Sequence, residues 1–193
     1  GYSYDSDNLK GLRDLFLGAK TLYAYRLNGG GAKASNTYAT AKYAGTRGND
    51  LKIVIQANAD DEETFDVTTY LGTIEVDSQV GVADATELES NDYVDFKSTA
   101  ELAVTAGTPL TGGTNSTVTG SSHQAYLDAI ESYTYNTMGV VTTDSTIKAL
   151  YASFVKRLRD DMGIKFQLVL HQYTTPDYLG VISVENPTTD DGY

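Results

Sequence analysis

The 193 residues carry 14 Lys and Arg against 26 Asp and Glu, a net charge of −12 that repels a phosphate backbone and argues against nucleic acid as a partner. Cysteine is absent, which removes disulfides, thiolate metal sites and cysteine nucleophiles together. Hydrophobic residues at 40% and charged residues at 21% are globular proportions, and no apolar run approaches the ~20 residues of a membrane span, so no membrane partner is expected.

The start, Gly1-Tyr2-Ser3-Tyr4-Asp5, lacks the positive charge and apolar stretch of an export signal, which predicts a soluble, non-exported chain. Fifteen tyrosines stand against five phenylalanines and no tryptophan. A side chain with an apolar body and a polar tip suits surfaces partly covered by neighbours, a first pointer to an interaction protein.

Leu9, Leu12, Leu15 and Phe16 follow helical spacing between a capping Asp7 and a terminating Gly18, so a short amphipathic helix is expected there. Thr21-Leu22-Tyr23-Ala24-Tyr25-Arg26-Leu27 then reads as a strand that ends at the turn dipeptide Asn28-Gly29. Residues 34–105 change character to period two. Leu51, Ile53 and Ile55 alternate with Lys52, Val54 and Gln56; Phe65 and Val67 with Asp66 and Thr68; Ile74 and Val76 with Glu75 and Asp77. Short strands between polar turns, with a further one over Tyr93-Val94-Asp95-Phe96, predict an antiparallel sandwich or partial barrel. The Gly- and Thr-rich residues 106–117 read as a linker.

Helical periodicity returns at Ser121 or Ser122, with Tyr126, Ala129, Ile130 and Tyr133 as the expected buried face. Residues 135–141 read as a buried strand. Asp144 or Thr143 caps the strongest helix, on which Ile147, Leu150, Tyr151, Phe154, Val155, Leu158 and Met162 form one stripe until Gly163 closes it. Strands over 164–170 and 181–184 follow. Helix, strand, helix, strand, strand implies βαβ crossovers, hence an α/β (α+β) fold class: a mainly parallel sheet flanked by helices, completed by the helix and strand of 7–27, with the β-rich middle inserted.

Chemical motifs are weak. Gly29-Gly30-Gly31-Ala32-Lys33-Ala34 formally satisfies a dinucleotide fingerprint with Asp50 as the ribose acid, but no clean helical face follows it. His123 and His171 with Ser183, Asp144 and Asp177 supply triad residue types without a nucleophile elbow, and solvated or capping roles are the stronger expectation. The carboxylates at Asp60-Asp61-Glu62-Glu63, at Glu87, Glu89, Asp92 and Asp95, and at Asp190-Asp191 lack the calcium-loop spacing. Catalytic, cofactor and metal sites are therefore all expected to be absent. Lys148, Lys156 and Arg159 fall within about a quarter turn of one another beside the apolar stripe of the strongest helix. In so acidic a chain this basic strip is a candidate inter-subunit contact.

Five strings in one order carry a family resemblance: Leu22-Tyr23-Ala24-Tyr25-Arg26-Leu27-Asn28-Gly29-Gly30; Ala41-Lys42-Tyr43-Ala44-Gly45-Thr46-Arg47-Gly48-Asn49-Asp50-Leu51-Lys52-Ile53; Leu110-Thr111-Gly112-Gly113-Thr114-Asn115; Phe154-Val155-Lys156-Arg157-Leu158-Arg159; and Gly180-Val181-Ile182-Ser183-Val184. They resemble the contractile-tail sheath protein of phages and prophages of Gram-positive bacteria, of the type found in PBSX-like defective prophages and contractile bacteriocins.

That resemblance implies an α/β core of subtilisin-like topology without a catalytic triad, here residues 1–27 plus 114–193, and an inserted β-sandwich, residues 28–113. It implies a structural subunit, not an enzyme and without a cofactor. Such subunits stack in six-fold rings around a tail tube above a baseplate and contract to drive the tube through a cell envelope. Expected partners are thus further copies, the tube protein and the baseplate. The expected place is the tail of a phage or phage-like particle assembled in the bacterial cytoplasm. Family members are considerably longer and are stapled by terminal arms that add strands to neighbours. Gly1 resembles a tag-cleavage scar, so a fragment without arms, monomeric or weakly oligomeric, is expected. The competing expectations are a ligand-binding or hydrolytic α/β domain with a β insertion, and a surface-adhesion module.

Overall fold

The computed structural model describes Tyr2 and residues 4–186, in two compact units: Arg26–Thr117, and the described residues up to Tyr25 together with those from Val118 onward.

Unit Arg26–Thr117 contains β1 (Ala39–Ala41), β2 (Leu51–Ala57), β3 (Phe65–Leu71), β4 (Ile74–Val82), β5 (Val94–Phe96) and β6 (Thr105–Pro109). One sheet has the order β4-β3-β2-β6 and a second pairs β1 with β5, every pair antiparallel. The alternation in β2 decides its orientation. Leu51, Ile53 and Ile55 are buried and meet Val67 of β3, Ala39 and Ala41 of β1, Val94 of β5 and Leu110 in one cluster drawn from both sheets.

Two expectations for this unit change, and one strand, β1, is not among those expected. Residues 106–109, placed in a linker by their Gly, Thr and Pro, join Thr105 in β6 (Thr105–Pro109) at the edge of the sheet, where proline costs no ladder bond. The short β1 carries Ala and Thr only and gives no periodic signal. Ile74, expected inside by alternation, is 67% exposed at the start of the edge strand β4, and beyond the register shift at Thr69/Tyr70 it is Asp77 and Gln79 that stand opposite the buried Thr69 and Val67.

The ends of this unit are tied together. Ala32 N–H donates to Thr114 Oγ1 at 3.0 Å, Thr114 N–H to Ala32 O at 3.1 Å, Gly30 N–H to Ser116 Oγ at 3.2 Å, and Ser116 N–H to Asn28 O at 3.1 Å. The Arg26 guanidinium adds bonds to Asn28 Oδ1, Ala44 O and Asn115 Oδ1 at 2.8–2.9 Å. Gly31 lies where these two segments approach most closely; a methyl on its α-carbon would stand 1.7 Å from Thr114 O.

The other unit contains a 3-10 turn Asp7–Leu9, α1 (Lys10–Phe16), α2 (Gly120–Ile130), β7 (Thr137–Gly139), α3 (Ser145–Asp160), β8 (Gln167–His171) and β9 (Val181–Val184). Strands β7, β8 and β9 pair in that order and in parallel. Asp144 caps α3 by accepting Thr146 N–H at 2.7 Å. The chain turns away after the helix at Gly163, φ +72, and an Ile164 N–H to Leu158 O bond of 2.9 Å closes the end. Between those stops Ile147, Tyr151, Phe154, Val155 and Leu158 pack on Phe166, Leu168, Leu170 and Met138. This is the core the 3.6-residue period implied.

The fold class is therefore mixed α/β, while parallel pairing is confined to this one sheet and the larger sheet is antiparallel. Among the described residues only β7–α3–β8 makes a βαβ unit; β8 reaches the parallel β9 through residues 172–180, which hold no helix. The strand expected at 21–27 joins no sheet. Strand β7 is shorter than the buried run expected at 135–141, with Val141 97% exposed. Helix α2 is capped before Ser121 and Ser122, at Thr119, whose N–H donates to Ser122 Oγ at 3.2 Å. Its buried residues are His123, Leu127 and Ile130, whereas Ala129 and Tyr133 are exposed.

Candidate interaction surfaces

The basic residues of α3 do not share one exposed strip. Lys148 is 7% exposed and its Nζ donates to the His171 carbonyl at 2.8 Å, so its long stem lies in the unit and its ammonium closes the end of β8. Arg159 is half-buried, with Nη1 donating to Phe166 O at 2.7 Å at the other end of β8. Lys156 is exposed and bonds to no acid among the described residues. Two members of the set thus tie α3 to the sheet and one faces outward.

The triad residue types do not assemble. His123 is buried, its Nδ1 3.1 Å from the Tyr151 hydroxyl, and the two rings meet edge to face at 5.7 Å. His171 is exposed, with Nε2 3.3 Å from Asn186 O. Ser183 Oγ donates to the Glu185 carboxylate and accepts Tyr173 N–H at 2.7 Å, so neither histidine activates it. Asp144 is spent on capping α3, and Asp177 sits in a turn at φ +35.

Burial pushes the His123 imidazole below its ordinary pKa, and the Asp144 carboxylate pulls weakly the other way. A histidine whose folded pKa is lowered takes up its proton more readily when unfolded. Stability is therefore untouched above pH ~6.5 and falls as the pH drops through and below that value. Melting of the wild type between pH 7 and pH 5 is expected to fall more steeply than melting of His123→Gln, which keeps a polar partner for Tyr151. Parallel slopes would rule out His123 as the cause.

The glycine loop is no phosphate cradle. The Gly30 and Ala32 amides turn to Ser116 and Thr114, and the chain goes on to an isolated bridge at Ser35 instead of a helix. Among the described residues no group of three His, Cys, Asp or Glu is placed to hold a metal ion. Asp190 and Asp191 lie outside the described residues. A groove of about 440 Å³ on the sandwich is lined by Asp77, Glu87 and Glu89 with Gln79, Ser90 and Asn91. Its polar groups are largely committed: Asn91 Nδ2 donates to Asp77 at 2.9 Å, and Gln79 binds both the carbonyl and the N–H of Glu89.

A second groove escaped the sequence reading. Leu22, Tyr23, Ala24 and Tyr25 line it on one side and Tyr126, Ala129 and Ile130 of α2 with Tyr133 just beyond it on the other, enclosing about 320 Å³. Tyr23 meets Tyr133 at 4.9 Å between centroids and Tyr25 meets Tyr126 at 5.6 Å; Tyr126 in turn reaches Tyr151 at 6.1 Å. Burial pushes the Tyr126 hydroxyl pKa upward and that of Tyr135 to about 12, so these phenols stay neutral. The available signal was a tyrosine pair two residues apart in a strand-like string and a second pair seven apart, Tyr126 on α2 and Tyr133 just past its end. Nearby in sequence, α1 has no buried residue, and Leu17 just beyond it is 88% exposed.

The described residues present a tyrosine-rich, apolar contact surface. Two family models match in tandem: the phage tail sheath protein beta-sandwich domain over residues 28–115 and the phage tail sheath protein central domain over 116–191. The chain belongs to the phage tail sheath family. Among solved structures it is similar to a sheath tail protein of Desulfitobacterium hafniense, 45% identical with a TM-score of 0.91 over 96% of this chain and 45% of that one. A sheath tail protein of Listeria innocua is 39% identical with a TM-score of 0.79, covering 96% and 44%. The phage-like element PBSX protein XkdK of Bacillus subtilis is 38% identical over all of this chain, and the uncharacterized protein YqbK of the same organism 37% identical over 95% of it. The chain spans 46% and 44% of those two curated relatives, under half their length.

Proposed function

We propose that this chain is the sandwich-bearing part of a contractile-tail sheath subunit, which stacks with copies of itself in six-fold rings around a tail tube, meets the baseplate, and contracts to drive the tube through a cell envelope. The observation that carries this reading is the tandem match of two sheath domains over residues 28–191. In this reading the α/β core comprises residues 1–27 and 114–193, with a subtilisin-like course, and residues 28–113 are the inserted sandwich. The subunit is structural and not an enzyme, and the hydrolytic alternative loses its footing because Ser183 is held by Glu185 and Tyr173. Its place is the tail of a phage or phage-like particle, assembled in the bacterial cytoplasm. The work of contraction comes from interfaces, since rigid subunits that change neighbours store energy between themselves.

Electron microscopy of the full-length protein is the direct test. Striated tubes or stacked rings are expected, and persistent monomers with tube protein present would overturn the reading.

Within the set Lys148, Lys156 and Arg159, the inter-subunit contact falls to Lys156, with Arg159 beside it. Lys156→Glu in the full-length protein is expected to leave the melting temperature within about 2 °C, as for an exposed site, while weakening assembly. Lys148→Glu is expected to cost the fold instead, by roughly 3 kcal/mol, because a buried carboxylate would face the His171 carbonyl. Unchanged tube formation by Lys156→Glu would remove the contact.

A further inference from the structure

The segment at residues 21–25 has the composition of a strand and none of the pairing. It lies in no helix, turn or ladder. Tyr23 and Tyr25, two residues apart, turn their rings the same way, Tyr25 onto α2 and Tyr23 onto the turn that follows it, which is the two-residue period of an extended chain. Tyr25 meets Tyr126 on α2 and Tyr23 meets Tyr133 in the turn just past its end, so the segment runs antiparallel to the helix, and α2 with its following turn covers one face of it.

Among the described residues no backbone N–H or C=O of residues 21–25 forms a hydrogen bond. A strand covered by a helix on its face but open along its edges is a template for another strand. The groove beside it is lined by Leu22, Ala24, Ala129, Ile130 and tyrosines, with no charged side chain. A strand laid there would therefore place uncharged residues at alternate positions toward α2. Length supplies the source. XkdK and YqbK extend to more than twice the part that this chain matches, so the longer sheath polypeptide has ample chain to complete this layer.

We propose that residues 21–25 are the docking edge for one extended strand, contributed by the part of the same sheath polypeptide that lies outside the match, with uncharged apolar or aromatic residues facing Ala129, Ile130 and Tyr133. The proposal rests on the family assignment, which alone supplies the longer polypeptide.

Amide hydrogen exchange tests it, on this chain and on full-length XkdK kept dissociated at low concentration, read at the residues aligned with Leu22, Tyr23, Ala24 and Tyr25. In this chain all four amides are expected to exchange at close to the unprotected rate. In dissociated XkdK alternate amides, one of the pairs Leu22 with Ala24 or Tyr23 with Tyr25, are expected to slow by at least about 100-fold, since one added strand pairs only the groups of one edge. Four fast amides in XkdK, dissociated and assembled, would overturn the proposal. Protection that arises only on assembly would assign the strand to a neighbouring subunit and overturn its intramolecular source. Four slow amides would mean strands on both edges and overturn the single occupant. Microscopy of the same sample reports separately on sheath formation, so protected amides without tubes would sink the functional reading and leave this one standing.

Discussion

Gly31→Ala is expected to destabilise the sandwich by about 3 kcal/mol or more, among the largest effects available to a single added methyl group. The new carbon would fall 1.7 Å from Thr114 O, 2.5 Å from Thr114 C and 2.9 Å from Asn115 C. All three are backbone atoms, so no rotamer change can relieve the overlap. The two segments would have to part, and parting them breaks the Ala32–Thr114 and Gly30–Ser116 bonds that close the unit's ends. Each such bond contributes about 1 kcal/mol, so steric and polar losses act in the same direction. Gly120→Ala is the control, at a helix start where an added carbon meets nothing within 4 Å. Urea unfolding of both variants against the wild type decides the matter. A Gly31→Ala loss below about 1 kcal/mol would mean that the two segments separate freely.

The elements that could be read beforehand are those whose side chains repeat. Leu51, Ile53 and Ile55 announced β2, and the stripe from Ile147 to Leu158 announced α3 with its Asp144 cap, because one-sided burial leaves a periodic trace. Strand β6 left none. Its Thr, Gly and Pro are held by pairing with Lys52, Ile53 and Ile55 of β2, a relation between residues about fifty apart. The β4 alternation was visible but misassigned, since a register shift in the ladder reverses inside and outside without altering composition. Lys148 shows the same gap in a single side chain. A helical wheel places it beside Lys156 and Arg159, yet its partner is a carbonyl at the end of β8, which only the packing of α3 on the sheet brings within 2.8 Å.

The unpaired residues 21–25 form a different class. Their composition argued for a strand and their period two is kept against α2 and the turn that follows it, so the local preference is honoured and what is missing is the ladder. Local sequence states a conformation, whereas pairing needs a second chain segment. The same reasoning accounts for α1, an amphipathic helix that was readable from Leu9, Leu12, Leu15 and Phe16 and that buries none of them. Periodicity predicts that a face will be covered and is silent about what covers it.

Leu168→Ala is expected to cost the α/β unit about 3–4 kcal/mol, a large share of the 5–15 kcal/mol that holds a typical domain. Leu168 is fully buried on β8, the middle strand, paired on one side with Met138 of β7 and on the other with Val181 of β9. It belongs to the cluster with Tyr151, Phe154, Val155 and Leu158 of α3, so removing its isobutyl group opens a void roofed by a helix and floored by a sheet. Neither layer collapses easily. Lys148 and Arg159 tie α3 to the carbonyls of His171 and Phe166 at the two ends of β8, which fixes the distance between them. The cost should therefore sit near the upper part of the range for such truncations, where relaxation is poor. Leu179→Ala is the matched control, since Leu179 is 83% exposed, and its effect should stay within about 0.5 kcal/mol. Amide exchange resolves the loss by region: global protection of β8 amides should fall in Leu168→Ala while that of β2 and β3 in the sandwich holds. A uniform fall across β2 and β8 would mean that the two units unfold as one.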